Sequence, residues 1–325
     1  MQGIFPFTAN TVPDNDEVTG RAGLVLVFEA MRAFGLDALI KSKVKVSQRS
    51  GGFSETEKVE AFVGLLASGG DCVADINVLR ADAGLCRLLG RQFPSSDALF
   101  DFLYACHDTG LIEQAQQARK PDQIAYIPEE NGPLKALGQV LAEFTRRVAS
   151  QGKGRKATLD HDATIQECHK QEALPHYKGG RGYQPAAIYW AEQDLALVDE
   201  YRDGNVPAGM SNLPLIQRGF AELPEQVTER YFRADSACYE EPVLKWLANP
   251  EREAGRKGKI AFAISADMSK ELRAVCEAVL LNQWALFDDR ADETVDWAEV
   301  EFTPGNWPKK AEPLRYVALR FHKKQ

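Results

Sequence analysis

Three aspartates carry most of the chemistry this sequence offers. Asp160 and Asp162 lie in Thr158-Leu159-Asp160-His161-Asp162-Ala163-Thr164, and Asp235 lies in Arg233-Ala234-Asp235-Ser236. Asp162 and Asp235 each end an apolar or mixed run of strand character and precede a small polar residue or its near neighbour. Both would stand at one end of a sheet, where ligands of open α/β sheets collect. Two carboxylates brought together repel, and a divalent cation relieves that repulsion while gaining hard oxygen ligands. Two such ions about 3.5–4 Å apart serve phosphodiester cleavage, one activating the attacking oxygen and one stabilising the leaving oxygen. On spacing alone the plainer alternative, an aspartate capping the next turn, is stronger. Asp160 shares the face of Asp162 on an ideal strand. The Asp-x-Thr context favours Asp162 as the first acid, with Asp160 as its substitute.

The elements that must hold these carboxylates follow from periodicity. Upstream the chain reads as helices: 20–34, stopped at Gly35, and a helix opened by the capping box Ser54-Glu55-Thr56-Glu57 with Val59, Phe62, Val63 and Leu66 on one face. A third follows Ser95-Ser96, with Leu99, Phe102, Leu103 and Cys106 inward and Gly110 as its stop. A long one spans Pro133 to Ser150. From Lys156 the texture changes to strands at 157–162, 184–190 and 195–201, the last two joined by a polar turn at 192–194. Helix, strand, helix, strand and helix follow at 212–222, 230–235, 241–248, 259–265 and 269–281. Three meander strands and then alternating elements indicate a mixed sheet with helices packed on it. The stretch 297–321 reads as short strands around Pro304, Pro308 and Pro313. Trp190, Trp246 and Trp284 fall on apolar faces and are expected in the core.

Composition sets the outer limits. The chain has 325 residues, 44% hydrophobic and 26% charged, with a formal net charge of −8. It is globular and long enough for about two domains. The longest apolar runs, such as Leu24 to Phe28, are far short of the ~20 residues of a membrane span. Met1 to Pro6 lacks the basic and apolar regions of a secretory signal, so a cytoplasmic location is expected. The six cysteines form no Cys-x-x-Cys pair and read as reduced thiols. Cys168, His169 and His176 cluster without a fourth ligand at a usual zinc spacing, which favours a polar loop over a metal site. The charge is uneven: Arg146, Arg147, Lys153, Arg155 and Lys156 occur with no acid between Phe144 and Leu159, whereas 288–301 holds seven acids against Arg290. The basic segment is a candidate for phosphate contact and the acidic one reads as a solvated surface.

Leu159-Asp160-His161-Asp162-Ala163-Thr164 resembles the first acidic motif of bacterial insertion-sequence transposases with a DDE catalytic domain. Further segments agree in order: His169-Lys170-Gln171, Gly182-Tyr183-Gln184-Pro185, the arginine-x-glycine-asparagine-like turn Tyr201-Arg202-Asp203-Gly204-Asn205, and Arg233-Ala234-Asp235-Ser236-Ala237-Cys238-Tyr239 as the second acidic motif. Upstream, Arg21-Ala22-Gly23-Leu24, Gly70-Asp71 with Asp75, and Phe93-Pro94-Ser95-Ser96 are similar to the same group's helical region. The resemblance implies an α/β chain with three parts: a helical DNA-binding and dimerisation region over 1–152, a ribonuclease H-like mixed-sheet catalytic core over 153–284, and a β-rich insertion over 285–325. It implies Mg²⁺, with Mn²⁺ as a substitute, held by Asp162 and Asp235, and cleavage and transfer of double-stranded DNA at inverted repeats by a homodimer associated with the nucleoid. Arg181 and Arg202 join Arg146, Arg147, Lys153, Arg155 and Lys156 as candidate DNA contacts. The group's third acid, a glutamate beyond the insertion, has no match before Gln325, so the domain is expected to be incomplete and to bind DNA without cutting it. Two alternatives stand beside this reading. Asp160-x-Asp162-x-Thr164 also suits a haloacid dehalogenase-like phosphatase with Asp160 as nucleophile and Asp288-Asp289 as its later acids, and a non-catalytic DNA-binding protein needs no third acid.

Overall fold

The computed structural model describes residues 18–46, 52–305, 307 and 313–324. Met1 to Pro6 and Pro308, read above from sequence, lie outside the described residues. Eight helices come first: α1 (Leu24–Ala33), α2 (Leu36–Lys43), α3 (Glu55–Ala67), α4 (Ile76–Arg80), α5 (Ala83–Leu89), α6 (Ser96–Tyr104), α7 (Thr109–Ala118) and α8 (Gly132–Ser150). The starts of α3, α5, α6, α7 and α8 are set by side chains that satisfy otherwise orphaned amides. Ser54 and Glu57 form the reciprocal capping box of α3, Ser95 accepts from Ala98 N, and Asn131 accepts from Leu134 N at the head of α8. Phe28, Ile40, Leu65, Ile76, Leu85, Phe93 and Leu99 make the core of this region. Each such side chain, fully buried, contributes about 1.5–3 kcal/mol.

Two faces differ from the periodic reading. Leu66 and Leu103 are exposed, and α3 instead buries Ala61, Gly64 and Leu65. The cause is a close approach: a Cβ on Gly64 would lie 2.8 Å from the Phe28 ring, so α1 docks on the small-residue line of α3. Gly110 does not end α6, which stops at Tyr104; it lies in the first turn of α7, where its amide caps on Asp108. Helix α8 links two cores. Leu137, Val140 and Phe144 pack in the helical one, whereas Ala149 belongs to the core under the sheet.

That sheet contains β1 (Lys156–Ala163), β5 (Ala186–Trp190), β6 (Leu195–Glu200), β7 (Glu229–Ala234) and β8 (Ala261–Ile264), in the order β6-β5-β1-β7-β8. Strands β1, β5 and β6 run antiparallel in sequence, and β7 and β8 lie parallel to β1. The parallel strands are reached through α9 (Asn212–Glu222) and α10 (Glu241–Ala248), as crossover connections require. This is the ribonuclease H-like arrangement expected from the sequence. Alternation decides what each face carries: Ala157, Leu159 and His161 of β1 are buried, while Asp160 and Asp162 take the opposite face. Between β1 and β5 the chain makes a small sheet of β2 (Gln166–Glu167), β3 (Leu174–Pro175) and β4 (Arg181–Tyr183). Its strands are too short for periodicity to reveal.

The last region holds α11 (Lys270–Glu277) and the antiparallel strands β9 (Ala285–Asp289), β10 (Glu293–Val300) and β11 (Tyr316–Lys323), with a small core of Leu272, Val300 and Tyr316. Two of these strands are eight residues long, and the described prolines Pro304 and Pro313 lie in the connection between them, not within short strands. The acidic run is not simply solvated. Asp296 meets Arg320 at 2.9 Å and His322 at 3.1 Å, Glu299 meets Arg315, and Asp289 meets Lys324 at 2.5 Å. Trp284 is half-buried beneath the Arg320 guanidinium at 4.2 Å, not in the core, while Trp190 and Trp246 are buried there. Among the described residues, no helix is long and apolar enough to cross a membrane.

Candidate functional site

Parallel register brings the two motif aspartates together. Asp160 pairs with Arg233 and His161 with Ala234 across β1 and β7, so the next position sets Asp162 beside Asp235 at the ends of neighbouring strands. Both side chains are exposed on the sheet face opposite the core. The Thr164 hydroxyl donates to Asp162 Oδ2 at 3.1 Å, and the Ala237 amide donates to Asp235 Oδ1 at 2.9 Å. Asp235 thus also caps a short 3-10 turn, Ser236–Cys238, which was the plainer sequence alternative. One oxygen of each carboxylate, Asp162 Oδ1 and Asp235 Oδ2, remains outside these bonds.

Asp160 differs sharply from Asp162. It takes a bidentate pair from Arg233, Nε to Oδ1 and Nη2 to Oδ2, both at 2.7 Å. The hydrogen bonds and charge of Asp160 raise the pKa of the Arg233 guanidinium. Both oxygens of Asp160 are therefore engaged, which disfavours it as a metal ligand or as a nucleophile. Asp288 and Asp289 lie in β9, in a different sheet, and meet Arg290 at 2.9 Å and Lys324 at 2.5 Å. The acids required of a dehalogenase-like phosphatase are thus not brought together.

Behind the carboxylates lies a buried polar network. His161 Nδ1 is 3.3 Å from Cys238 Sγ, and the Asn212 amide donates to the carbonyls of Ala208 and Ala237 at 2.9 and 3.0 Å. Asn212 Oδ1 accepts from Arg202 at 3.2 Å, and Arg202 Nε donates to Glu200 at 2.6 Å. Burial, reinforced by the Arg202 charge, lowers the His161 pKa and keeps the imidazole neutral, with the two aspartates opposing weakly. Burial, with the Asp235 and Glu240 charges, pushes the Cys238 thiol up to about 12. The network ties β6, α9 and β1 to the turn that Asp235 caps.

The donor set suits a hard cation. Two adjacent carboxylates have no cationic side chain paired to them among the described residues, and Mg²⁺ is commonly held by one or two carboxylates while keeping several waters. Among the described residues no group of three or more His, Cys, Asp or Glu side chains converges as a metal site, Cys168, His169 and His176 included. His176 is buried against Gly180 with neither ring nitrogen bonded, and His169 is exposed.

The candidate DNA contacts separate into two groups. Arg202 is only 1% exposed and is spent on Glu200 and Asn212, so it is not available to a phosphate and is corrected to an internal residue. Arg146 pairs with Glu222, Arg147 with Glu143 at 2.6 Å, and Lys156 with Glu192 at 3.3 Å. The acid-free segment is therefore partly neutralised by acids outside it, Glu143 one helical turn before Arg147 and Glu192 and Glu222 distant in sequence. Arg181 holds the carbonyls of Gln171 and Ala173 at 3.1 and 2.8 Å. Lys153 and Arg155 are exposed. A basic group that sequence reading missed gathers at the opposite end of the sheet: Arg230, Arg256 and Lys257 line one cavity beside the start of β7.

The family model described as transposase DDE domain group 1 matches residues 12–319. Comparison with curated proteins finds no match. Among solved structures, the cryo-EM structure of a piggyBac transposase synaptic complex with hairpin DNA is similar at 15% identity and a TM-score of 0.38, over 87% of this chain and 56% of that one. The chain thus spans about half the length of that protein, a likeness too slight to support an inference.

Proposed function

The chain belongs to the transposase DDE domain group 1 family, and from that premise we propose that Asp162 and Asp235 form the acidic centre of a DNA strand-cleavage and strand-transfer activity. The observation that supports this reading is the β1–β7 register, which carries Asp162 and Asp235, neither in an ion pair among the described residues, to the ends of neighbouring strands. Asp162 and Asp235 would hold Mg²⁺, or Mn²⁺ in its stead. The ion supplies charge stabilisation and an activated oxygen for phosphodiester cleavage. The protein's own part is to fix the carboxylates: Thr164 and the Ala237 amide orient one oxygen of each, and the Asn212 network holds the turn that presents Asp235.

The partner is double-stranded DNA at the inverted repeats of a bacterial insertion sequence, engaged by a homodimer in the cytoplasm, with the helical region 1–152 contributing end recognition. Lys153 and Arg155 are the members of the basic segment best suited to phosphate contact, since they are exposed and their neighbours already hold acids. The two acids within 153–284 make one cation position, and a second requires a further acid. Without it, losing one metal-borne contact to the reacting oxygens costs about 10²–10³ in rate.

Manganese binding followed by electron paramagnetic resonance tests the site directly. The chain should bind Mn²⁺, and Asp162→Asn or Asp235→Asn should weaken binding at least about tenfold while Asp160→Asn leaves it. Plasmid nicking and hydrolysis of a chromogenic phosphate ester run alongside. Ester turnover abolished by Asp160→Asn would overturn the transposase chemistry in favour of a phosphatase. DNA binding without any Mn²⁺ site would leave a DNA-binding protein that does no catalysis.

A further inference from the structure

At the end of the sheet opposite the carboxylates, three arginines come together with no carboxylate bonded to any of them among the described residues. Arg252 is buried, lies 4.9 Å from the Trp246 ring centre, and donates to the carbonyls of Trp246, Leu247, Arg256 and Gly258. Loop stabilisation accounts for it fully. Arg230 and Arg256 are different. Arg230 donates to the carbonyls of Arg256 and Lys257 at 3.2 and 2.6 Å, and Arg256 to those of Pro224 at 2.8 Å and Leu223. A guanidinium has five N–H donors. Each of these two therefore keeps donors in hand, and Arg230 Nε is buried with no partner.

These side chains line a cavity of about 320 Å³ with Lys257, Val227, Thr228 and Glu225. A Cβ on Gly258, whose φ is +102°, would lie 2.8 Å from Arg230 Nη2, so the loop is shaped to admit that guanidinium. Burial lowers the Arg230 pKa and the Arg256 charge adds to this, the signature of cations held together without compensation. The acids nearby are Glu225 in the lining and Glu251, 3.2 Å from Lys257. The exposed Arg155 adjoins the same place, because its carbonyl accepts from the amides of Thr228 and Glu229. Several other arginines meet carboxylates instead, as in Arg233–Asp160, Arg146–Glu222 and Arg320–Asp296.

We propose that Arg230, Arg256 and Lys257 form an anion site that takes a phosphate of duplex DNA, a second contact remote from the acidic centre. It rests on the reading of this chain as a DNA-acting protein. Lys156 to Asp162 is six strand steps, about 20 Å at ~3.3 Å per residue. A phosphate in this site thus belongs to a stretch of backbone distinct from the one presented to the carboxylates.

The experiment is anisotropy of a labelled 40-base-pair duplex with the full chain across a KCl series. Each neutralised phosphate contributes about −0.9 to the slope of log affinity against log salt. Arg230→Gln, Arg256→Gln and Lys257→Gln together remove that one phosphate contact and should flatten the slope by about one while weakening binding at least tenfold. Should that variant fail to fold by circular dichroism, Lys257→Glu alone, at an exposed position, should flatten it by about one. In a parallel arm, inorganic phosphate at matched ionic strength is tested for a rise in thermal midpoint. A phosphate-induced rise lost in the variant, with the DNA slope unchanged, would overturn the DNA assignment in favour of free phosphate. An unchanged slope and no phosphate effect would overturn the site. A wild-type chain that binds no duplex at low salt would instead defeat the underlying DNA reading, whatever the variants do.

Discussion

The two ends of the five-stranded sheet are charged in opposite senses by similar means. At one end Asp162 and Asp235 hold like charges side by side with an amide and a hydroxyl as partners. At the other, Arg230 and Arg256 hold like charges with main-chain carbonyls as partners. Only two residues back along the same two strands from the acidic end, Asp160 and Arg233 neutralise each other at 2.7 Å. Neutral dipoles hold a charge in place without cancelling it, whereas an ion pair cancels it. A charge held that way stays available to a ligand, which separates the two charged groups from the Asp160–Arg233 pair.

Loss of the shared scaffold should have the largest effect. Phe232→Ala, in the core face of β7 between the two ends, should cost about 3–5 kcal/mol in urea unfolding. Mn²⁺ and phosphate responses should disappear together; survival of one without the other would break the view of the sheet as their common support. Arg202→Ala should cost about 3–5 kcal/mol, since it leaves Glu200 and Asn212 Oδ1 facing a vanished cation. If Arg202 served DNA instead, stability would hold and the salt slope would flatten.

Next in size, Asp162→Asn should lower Mn²⁺ affinity by at least about tenfold, or 1.4 kcal/mol. Asp160→Asn should change it less than twofold, and equal effects would erase the contrast between the carboxylates held by dipoles and the one held by an ion pair. Ser54→Ala removes the α3 cap, which lies at neither end, and should cost about 1 kcal/mol without altering metal or duplex binding. The smallest effect is on pH dependence. The Arg147 hydrogen bond, with burial opposing and Lys43 assisting, lowers the pKa of Glu143 from its ordinary 4.5. Its contribution is complete above pH 4.5 and is lost as pH falls through the lower folded value. Half-exposed as the pair is, the loss should stay below about 1 kcal/mol. Glu143→Gln should remove that slope in acid unfolding, and an unchanged slope would assign the pair to solvent.

What was legible in the sequence is what local pattern encodes. An apolar run ending in Asp162 or Asp235 announces a strand end, and Ser54-x-x-Glu57 announces a helix start. Charge partners are not local: Glu222 lies 76 residues from Arg146, so a segment free of acids in sequence is not free of them in space. Arg202 was misread for the same reason, because a turn motif does not reveal that its guanidinium is enclosed by Glu200 and Asn212. Leu66 missed the core because the close approach at Gly64, not hydropathy, chose which face of α3 turned inward, and Trp284 lies half-buried under the Arg320 guanidinium, a partner 36 residues away that no local pattern announces. The arginine cluster was invisible because its members arrive from the start of β7 and from the loop after α10.

The parallel pairing of β1 with β7 also has a consequence in time. Asp235 follows Asp162 by 73 residues, and the strands meet only after β5, β6 and α9 intervene. Closing so long a loop precedes any gain from the contact, so such pairings form late. A nascent chain that has not yet delivered β7 possesses one of the acids but no cation site. A slip of one residue in register would turn Asp235 onto the apolar face. In the proposed reading, competence to bind the ion would therefore report that the fold has closed correctly, and a half-made protein would carry none of it.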